Sequence, residues 1–94
     1  MTWNSVERQT FSNIGATTAA FTLRGGQYGV DVNFTGTSIT LQKLSQDGTN
    51  YVTALTAFTG AGYATVNLPS GTYRFLLTSA SAAYIALTGI VTTM

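Results

Sequence analysis

The chain contains no cysteine and no histidine among its 94 residues. Without cysteine there can be no disulfide, no thiolate nucleophile and no Cys-ligated metal. Without histidine the chain lacks the usual general base near neutral pH and the commonest metal ligand. These two absences argue against an enzyme, and we expect no catalytic residue, cofactor or metal site.

Charge is also scarce. Three acidic and four basic residues give a net charge of +1, and charged residues make up only 7% of the chain, whereas a typical domain has about 25%. No basic stripe is present that could neutralise phosphates, so nucleic-acid binding is not expected. Because so weakly charged a surface repels its own copies little, we expect much of it to be covered in the working state.

Long apolar runs are missing as well. The most apolar stretch, residues 80–91, is interrupted by Ser81, Thr88 and Gly89 and is shorter than the ~20 residues of a spanning helix. The N-terminus shows neither the basic nor the apolar region of a secretory signal. We expect a soluble product made in the cytoplasm, with no membrane partner.

What the chain has instead is threonine, at 18 positions. This β-branched residue makes a surface polar while favouring strands. The clearest two-residue period runs through Tyr28, Val30, Val32 and Phe34. About seven short antiparallel strands, with turn signals every 8–12 residues, predict an all-β fold and a single β-sandwich, either jelly-roll or immunoglobulin-like. No βαβ spacing or internal repeat is apparent.

The first 18 residues show neither a helical nor a strand period. We therefore predict two parts: an extended N-terminal arm over residues 1–18, with Trp3, Phe11 and Ile14 as apolar anchors, and a β-sandwich domain over residues 19–94.

Turn residues divide the predicted strands. Asp47-Gly48 predicts a tight hairpin that makes its two flanking strands antiparallel neighbours. Residues 35–37 and 79–81 predict a further turn and a loop. Residues 68–73, Leu-Pro-Ser-Gly-Thr-Tyr, resemble a tyrosine corner, in which the hydroxyl of Tyr73 bonds back to nearby backbone.

Other motifs favour structure over chemistry. Residues 25–29 could be a phosphate loop, but a strand and not a helix follows them. Glu7, Asp31 and Asp47 are the only carboxylates, and nothing in their spacing brings two of them together for hydrolysis. The loop at Asp47 offers too few oxygens for Ca²⁺.

The aromatic residues could supply a surface for a sugar or a protein partner. Tyr28 and Tyr73 follow the inward phase of their strands and are expected in the core. Tyr63 precedes the inward Ala64, so it is expected to face outward. Tyr63 and Trp3 are the best exposed anchors that the sequence offers.

Three segments together resemble a known group of proteins: residues 21–32, residues 41–44 with the following Asp47-Gly48, and residues 62–69. In their short neutral strands, their threonine and glycine richness and the N-terminal arm, they are similar to the small β-sandwich cement or decoration proteins of tailed-bacteriophage capsids. The likeness spans residues 21–87 and is one of style, without a diagnostic motif.

The resemblance implies a virion structural protein. It would bind the outer surface of the major capsid protein, as a homo-oligomer (dimer or trimer), and stabilise neighbouring subunits of the shell. The partner contacts would lie at Trp3, Phe11, Ile14 and Tyr63, with the C-terminal strand at an oligomer contact. The alternative is a carbohydrate- or receptor-binding module of a phage tail fibre or spike, which would use exposed tyrosines as stacking surfaces.

Overall fold

The computed structural model describes residues 8–90, which form one antiparallel sheet of six strands. No helix occurs in this range, and so none that could cross a membrane. The strands are β1 (Arg8–Ile14), β2 (Phe21–Leu23), β3 (Gly26–Leu44), β4 (Tyr51–Thr53), β5 (Gly62–Leu68) and β6 (Gly71–Gly89).

The two 19-residue strands, β3 and β6, form the centre of the sheet. They pair with each other almost end to end, from Tyr28 opposite Gly89 to Lys43 opposite Tyr73. The four shorter strands attach to their outer margins. One end has the order β1-β6-β3-β5 and the other has the order β2-β6-β3-β4; we call them the β1–β5 half-sheet and the β2–β4 half-sheet, after their edge strands.

Both long strands are irregular at the same level, where the two half-sheets meet. The β3–β6 register shifts between Asn33 and Thr35. On β3, Gly36 has φ 136°, and on β6, Ser79 and Ala82 have φ 46° and 49°. Extra residues of this kind bend a strand without ending it.

The turn predicted at residues 35–37 and the loop predicted at residues 79–81 are therefore wrong as chain breaks. They are irregularities within continuous strands. Joining the segments on either side of each one reduces the predicted seven strands to five, and β1, which was not predicted as a strand, brings the number to six.

The two half-sheets share one apolar core. Phe11 of the β1–β5 half-sheet lies 5.9 Å from Phe21 and 6.0 Å from Phe75, both of the β2–β4 half-sheet, measured between ring centroids. Within residues 8–90 the core contains no buried polar or charged residue. The largest fully buried side chains come from β3 and β6: Tyr73, Phe75, Ile39, Leu41, Leu87 and Val30. Burial of this apolar surface is the main force that holds the halves together.

The chain contains an internal repeat that its sequence did not make apparent. A shift of 45 residues places β3 on β6, which have the same length. At this shift, six positions between residues 15 and 28 are identical to their counterparts between 60 and 73, among them Leu23 with Leu68 and Tyr28 with Tyr73.

The strand pairing repeats in the same way. Phe21 lies opposite Tyr73 across β2 and β6, and Val66 lies opposite Tyr28 across β5 and β3. An approximate twofold axis thus relates the two half-sheets. The sequence signal is weak because only Leu-x-x-Gly-x-Tyr is shared clearly, while the β-bulges shift the later positions.

The repeated tyrosine has the same role in both halves. The Tyr73 hydroxyl donates a hydrogen bond of 2.5 Å to the carbonyl of Pro69, as the tyrosine-corner motif predicts, and the Tyr28 hydroxyl donates one of 2.5 Å to the carbonyl of Arg24. Both side chains are buried, as predicted. Each bond closes the bend that leads into a long strand, so the two long strands begin in the same way.

The hairpin predicted at Asp47-Gly48 is confirmed, and β3 and β4 are antiparallel neighbours. The Asp47 carboxylate accepts hydrogen bonds from the backbone N–H groups of Thr49 and Asn50 and from the Asn50 side chain. These bonds hold the pKa of Asp47 below its usual value, because they favour the charged form. Gly48 takes the positive φ that the turn requires.

The predicted N-terminal arm needs correction over its described part. Residues 8–14 form β1, an edge strand paired with β6, and Phe11 and Ile14 pack against the core. The chain then crosses to the other half-sheet, where the hydroxyls of Thr17 and Thr18 accept hydrogen bonds from the backbone of β6. Residues 1–7 of the predicted arm lie outside the described residues.

We predict that Gly36→Ala destabilises the protein by about 2–4 kcal/mol. The added Cβ would lie 2.0 Å from the Ser79 carbonyl oxygen on the paired strand, at a φ that only glycine adopts readily. Gly60→Ala is the control, since nothing lies within 4 Å of its Cβ position. Chemical denaturation followed by circular dichroism measures the stability of both variants. Equal midpoints would show that the bend of β3 at Gly36 does not need glycine.

We predict that Tyr73→Phe lowers the free energy of unfolding by about 1 kcal/mol, through loss of its hydrogen bond to Pro69. Tyr84→Phe, at a half-exposed position, should change it little.

Tyr73→Phe also tests how the free energy of unfolding depends on pH in alkaline solution. Burial, and secondarily the nearby Tyr28, raises the pKa of Tyr73 above its ordinary value of 10.0. The folded state therefore keeps a proton that the unfolded state releases, so stability falls as the pH rises above 10. Tyr73→Phe should show a smaller loss than the parent protein in this range, and parallel curves would contradict the assignment.

Candidate binding face

The outer face of the β1–β5 half-sheet has the largest exposed aromatic side chains in the described residues. Tyr63 on β5 is 63% exposed and Tyr84 on β6 is 50% exposed. Strand register places Tyr63 opposite Asp31 of β3, and Asn33 of β3 opposite Tyr84. We call the surface formed by Asp31, Asn33, Tyr63, Tyr84 and Ala86 the tyrosine face.

Alternation along the strands produces this face. On β3, Val30 and Val32 are buried while Asp31 and Asn33 are exposed, and on β6 the buried Ala83 and Ile85 flank the exposed Tyr84. Because successive strand residues point to opposite sides, the core side chains force these polar and aromatic residues outward. The same sheet therefore supplies both the core and the candidate site.

The side chain of Tyr63 extends from β5 over the neighbouring strand β3, where its ring covers Gly29. A Cβ at Gly29 would lie 2.5 Å from the Tyr63 hydroxyl and 3.1 Å from its ring carbon Cζ. Gly29 is buried although it lies between the exposed Gln27 and Asp31 on the outward phase, because the Tyr63 ring covers it. The Tyr63 ring therefore lies along the sheet and presents a broad apolar surface to a partner.

The outer face of the β2–β4 half-sheet differs, because its tyrosine already has a partner. The Arg74 guanidinium carbon lies 3.9 Å from the centroid of the Tyr51 ring, and the Arg74 Nε donates a hydrogen bond of 2.8 Å to the Gln42 side chain. Tyr51 is thus engaged within the chain. Despite the twofold relation of the two halves, only the β1–β5 half-sheet offers exposed tyrosines.

The tyrosine face has the chemistry of a binding surface. Asp31 supplies one carboxylate and Asn33 one amide beside the two aromatic rings. Asp47 lies in the β3–β4 hairpin, attached to the other half-sheet, and Glu7 is outside the described residues. No group of three or more potential metal ligands occurs in residues 8–90. These groups can stack and hydrogen-bond with a partner.

Of the predicted partner-binding residues Trp3, Phe11, Ile14 and Tyr63, the three that the structure describes differ in their exposure to solvent. Tyr63 is exposed, in the outward phase that the sequence predicts. Phe11 and Ile14 are partly buried against the chain's own core, where Phe11 contacts two other phenylalanines. Trp3 lies outside the described residues. Tyr84 was not among the predicted anchors, although it precedes the inward Ile85 just as Tyr63 precedes the inward Ala64.

No protein-family model matches the chain, and no curated protein has a significantly similar sequence. The candidate site therefore depends on geometry and chemistry alone.

We predict that Gly29→Ala changes the free energy of unfolding by less than about 1 kcal/mol, unlike the substitution of Gly36. Only the far end of the Tyr63 side chain obstructs the new methyl group, so that ring moves and the backbone stays. The displaced ring should show altered chemical shifts in NMR spectra. Unchanged chemical shifts of the Tyr63 ring would contradict its position over Gly29.

Proposed function

We propose that this chain is a virion structural protein, a cement or decoration protein that binds the outer surface of a capsid and stabilises neighbouring capsid subunits. The observation that carries the proposal is the tyrosine face: two exposed aromatic side chains on a rigid sheet of a nearly uncharged protein. The role is one of binding, without catalysis, and the proposed partner is the major capsid protein.

The strand order supports this proposal. We infer that the bent sheet is a β-sandwich of the jelly-roll kind, with each long strand contributing one half to each layer. Contact between Phe11 and the aromatic residues of the other half-sheet supports two packed layers. Jelly rolls are the architecture of many capsid and lectin domains. Because a fold hosts several functions, this argument adds to that from the tyrosine face and does not replace it.

Low charge suits such a role. A cement protein is repeated many times over a shell, so modest contacts at each site combine into strong attachment. Aromatic side chains are the usual centres of binding energy in protein interfaces, and the described part of this chain exposes two of them on one face. By binding only the assembled shell, the protein would shift the balance away from rupture.

The experiment is co-sedimentation of the purified protein with capsids that lack it. We predict that Tyr63→Ala combined with Tyr84→Ala weakens binding at least tenfold, the expected effect of losing ~1.4 kcal/mol or more at an interface. Val52→Ala is the matched control, because Val52 is an exposed apolar residue (51%) on the β2–β4 half-sheet. Equal binding by the double variant and the control would refute the assigned face.

Loss of the protein should also weaken the particle. Capsids without it should rupture at a lower temperature or under milder osmotic shock, and adding it back should restore their resistance. Equal survival of both particles would refute the cement function, whichever face binds.

A second candidate function is carbohydrate binding, as in a module of a tail fibre or spike. The polar Asp31 and Asn33 beside two exposed tyrosines favour it, since sugars stack on aromatic rings and hydrogen-bond to carboxylates and amides. A glycan array, followed by intrinsic fluorescence titration with any polysaccharide that binds, distinguishes the two functions. Glycan binding that Tyr63→Ala abolishes, without capsid binding, would favour the second.

A further inference from the structure

The four edge strands of the sheet differ in how well they are protected against pairing with a strand of another molecule. An edge strand exposes unpaired backbone groups, and proteins prevent unwanted pairing by short length, charge, proline or a bulge. Strands β2 and β4 are only three residues long. Strand β1 begins at the charged Arg8, and its register is broken near Asn13, which has φ 53°.

Strand β5 has none of these devices. It is seven residues long, Gly-Tyr-Ala-Thr-Val-Asn-Leu, without a charge or a proline. Its register with β3 runs unbroken from Leu68 opposite Gly26 to Gly62 opposite Val32. It pairs only with β3, and no other backbone within residues 8–90 bonds to it.

The repeat makes this contrast sharper. The counterpart of β5 in the other half is β2, which pairs with β6 as β5 pairs with β3. Beyond its three residues, the β2 margin continues at Thr17 and Thr18, whose hydroxyls accept hydrogen bonds from the backbone of β6. The Thr18 N–H also donates one backbone hydrogen bond to the Phe75 carbonyl. Of two related edges, one is a strand of three residues and the other is a strand of seven residues with an unbroken register.

We infer that two copies of this chain associate through β5, edge to edge and antiparallel, about a twofold axis at Thr65. This inference needs only the fold and stands apart from the proposed capsid function. Antiparallel edges are self-complementary, since each supplies alternating donors and acceptors to the other. Absence of charge on β5 removes the repulsion that would otherwise oppose pairing with its own copy.

Side chains favour the same partner. With Thr65 opposite its own copy, the half-buried Ala64 of one copy lies opposite the half-buried Val66 of the other. Val66 already packs against the core, so pairing would continue that apolar row from one copy to the next. On the outer side Tyr63 would lie opposite Asn67, which would bring two tyrosine faces onto one continuous sheet.

The first test is the mass of the protein in solution, by sedimentation equilibrium over a range of concentrations. We expect a monomer–dimer equilibrium, and Thr65→Lys should raise its dissociation constant about tenfold or more, because two like charges would lie directly opposite each other. Thr22→Lys is the matched control: Thr22 is equally an exposed threonine on an edge strand, but on β2. Circular dichroism establishes that both variants fold.

The second test fixes the register. The chain has no cysteine, so Thr65→Cys introduces the sole thiol. Residues directly opposite across antiparallel strands have Cβ atoms close enough for a disulfide, and this variant should form a covalent dimer under mild oxidation much faster than Thr22→Cys.

Three results would overturn the inference: a monomer at every concentration, a dimer that Thr65→Lys leaves intact, or cross-linking no faster at Thr65→Cys than in the control. Binding of a capsid by a protein that stays monomeric would reject the β5 dimer while leaving the proposed function standing.

Discussion

The antiparallel pair of β3 and β6 is the constraint on which the rest of the structure depends. Each strand serves both half-sheets, so the two must bend at the same level, and Gly36 packs against the Ser79 carbonyl where they do. Every other strand takes its position from one margin of this pair. The core, the two outer faces and the four edges all follow from where the pair bends.

Sequence periodicity predicted which side chains of a strand face the core better than it predicted where each strand begins and ends. It placed Tyr28 and Tyr73 inside and Tyr63 outside, since alternation depends on neighbouring residues alone. It interpreted Thr35-Gly36-Thr37 as a turn, because a bulge and a turn both interrupt the period, and only the partner strand decides between them. It missed β1 because Asn13, in a left-handed conformation, shifts the phase between Phe11 and Ile14.

The candidate site was predictable in part for the same reason. The alternation of inward and outward side chains along β5 is enough to identify Tyr63 as exposed. The same alternation along β6 identifies Tyr84 as exposed. It cannot reveal that Arg74 lies over Tyr51, because that contact joins two strands far apart in the sequence. The two halves have related backbones and different surfaces, so surface chemistry, and not the repeat, decides which face can bind.

The unequal lengths of β5 and β2 set a limit on assembly. A molecule with two equally open edges could pair with a further copy at each of them, and such a series of contacts does not close. With β2 cut to three residues, the edge related to β5 by the repeat offers no equivalent docking strand. If copies pair through β5 as inferred, growth would stop at a closed pair, and a nearly neutral protein would avoid forming fibres.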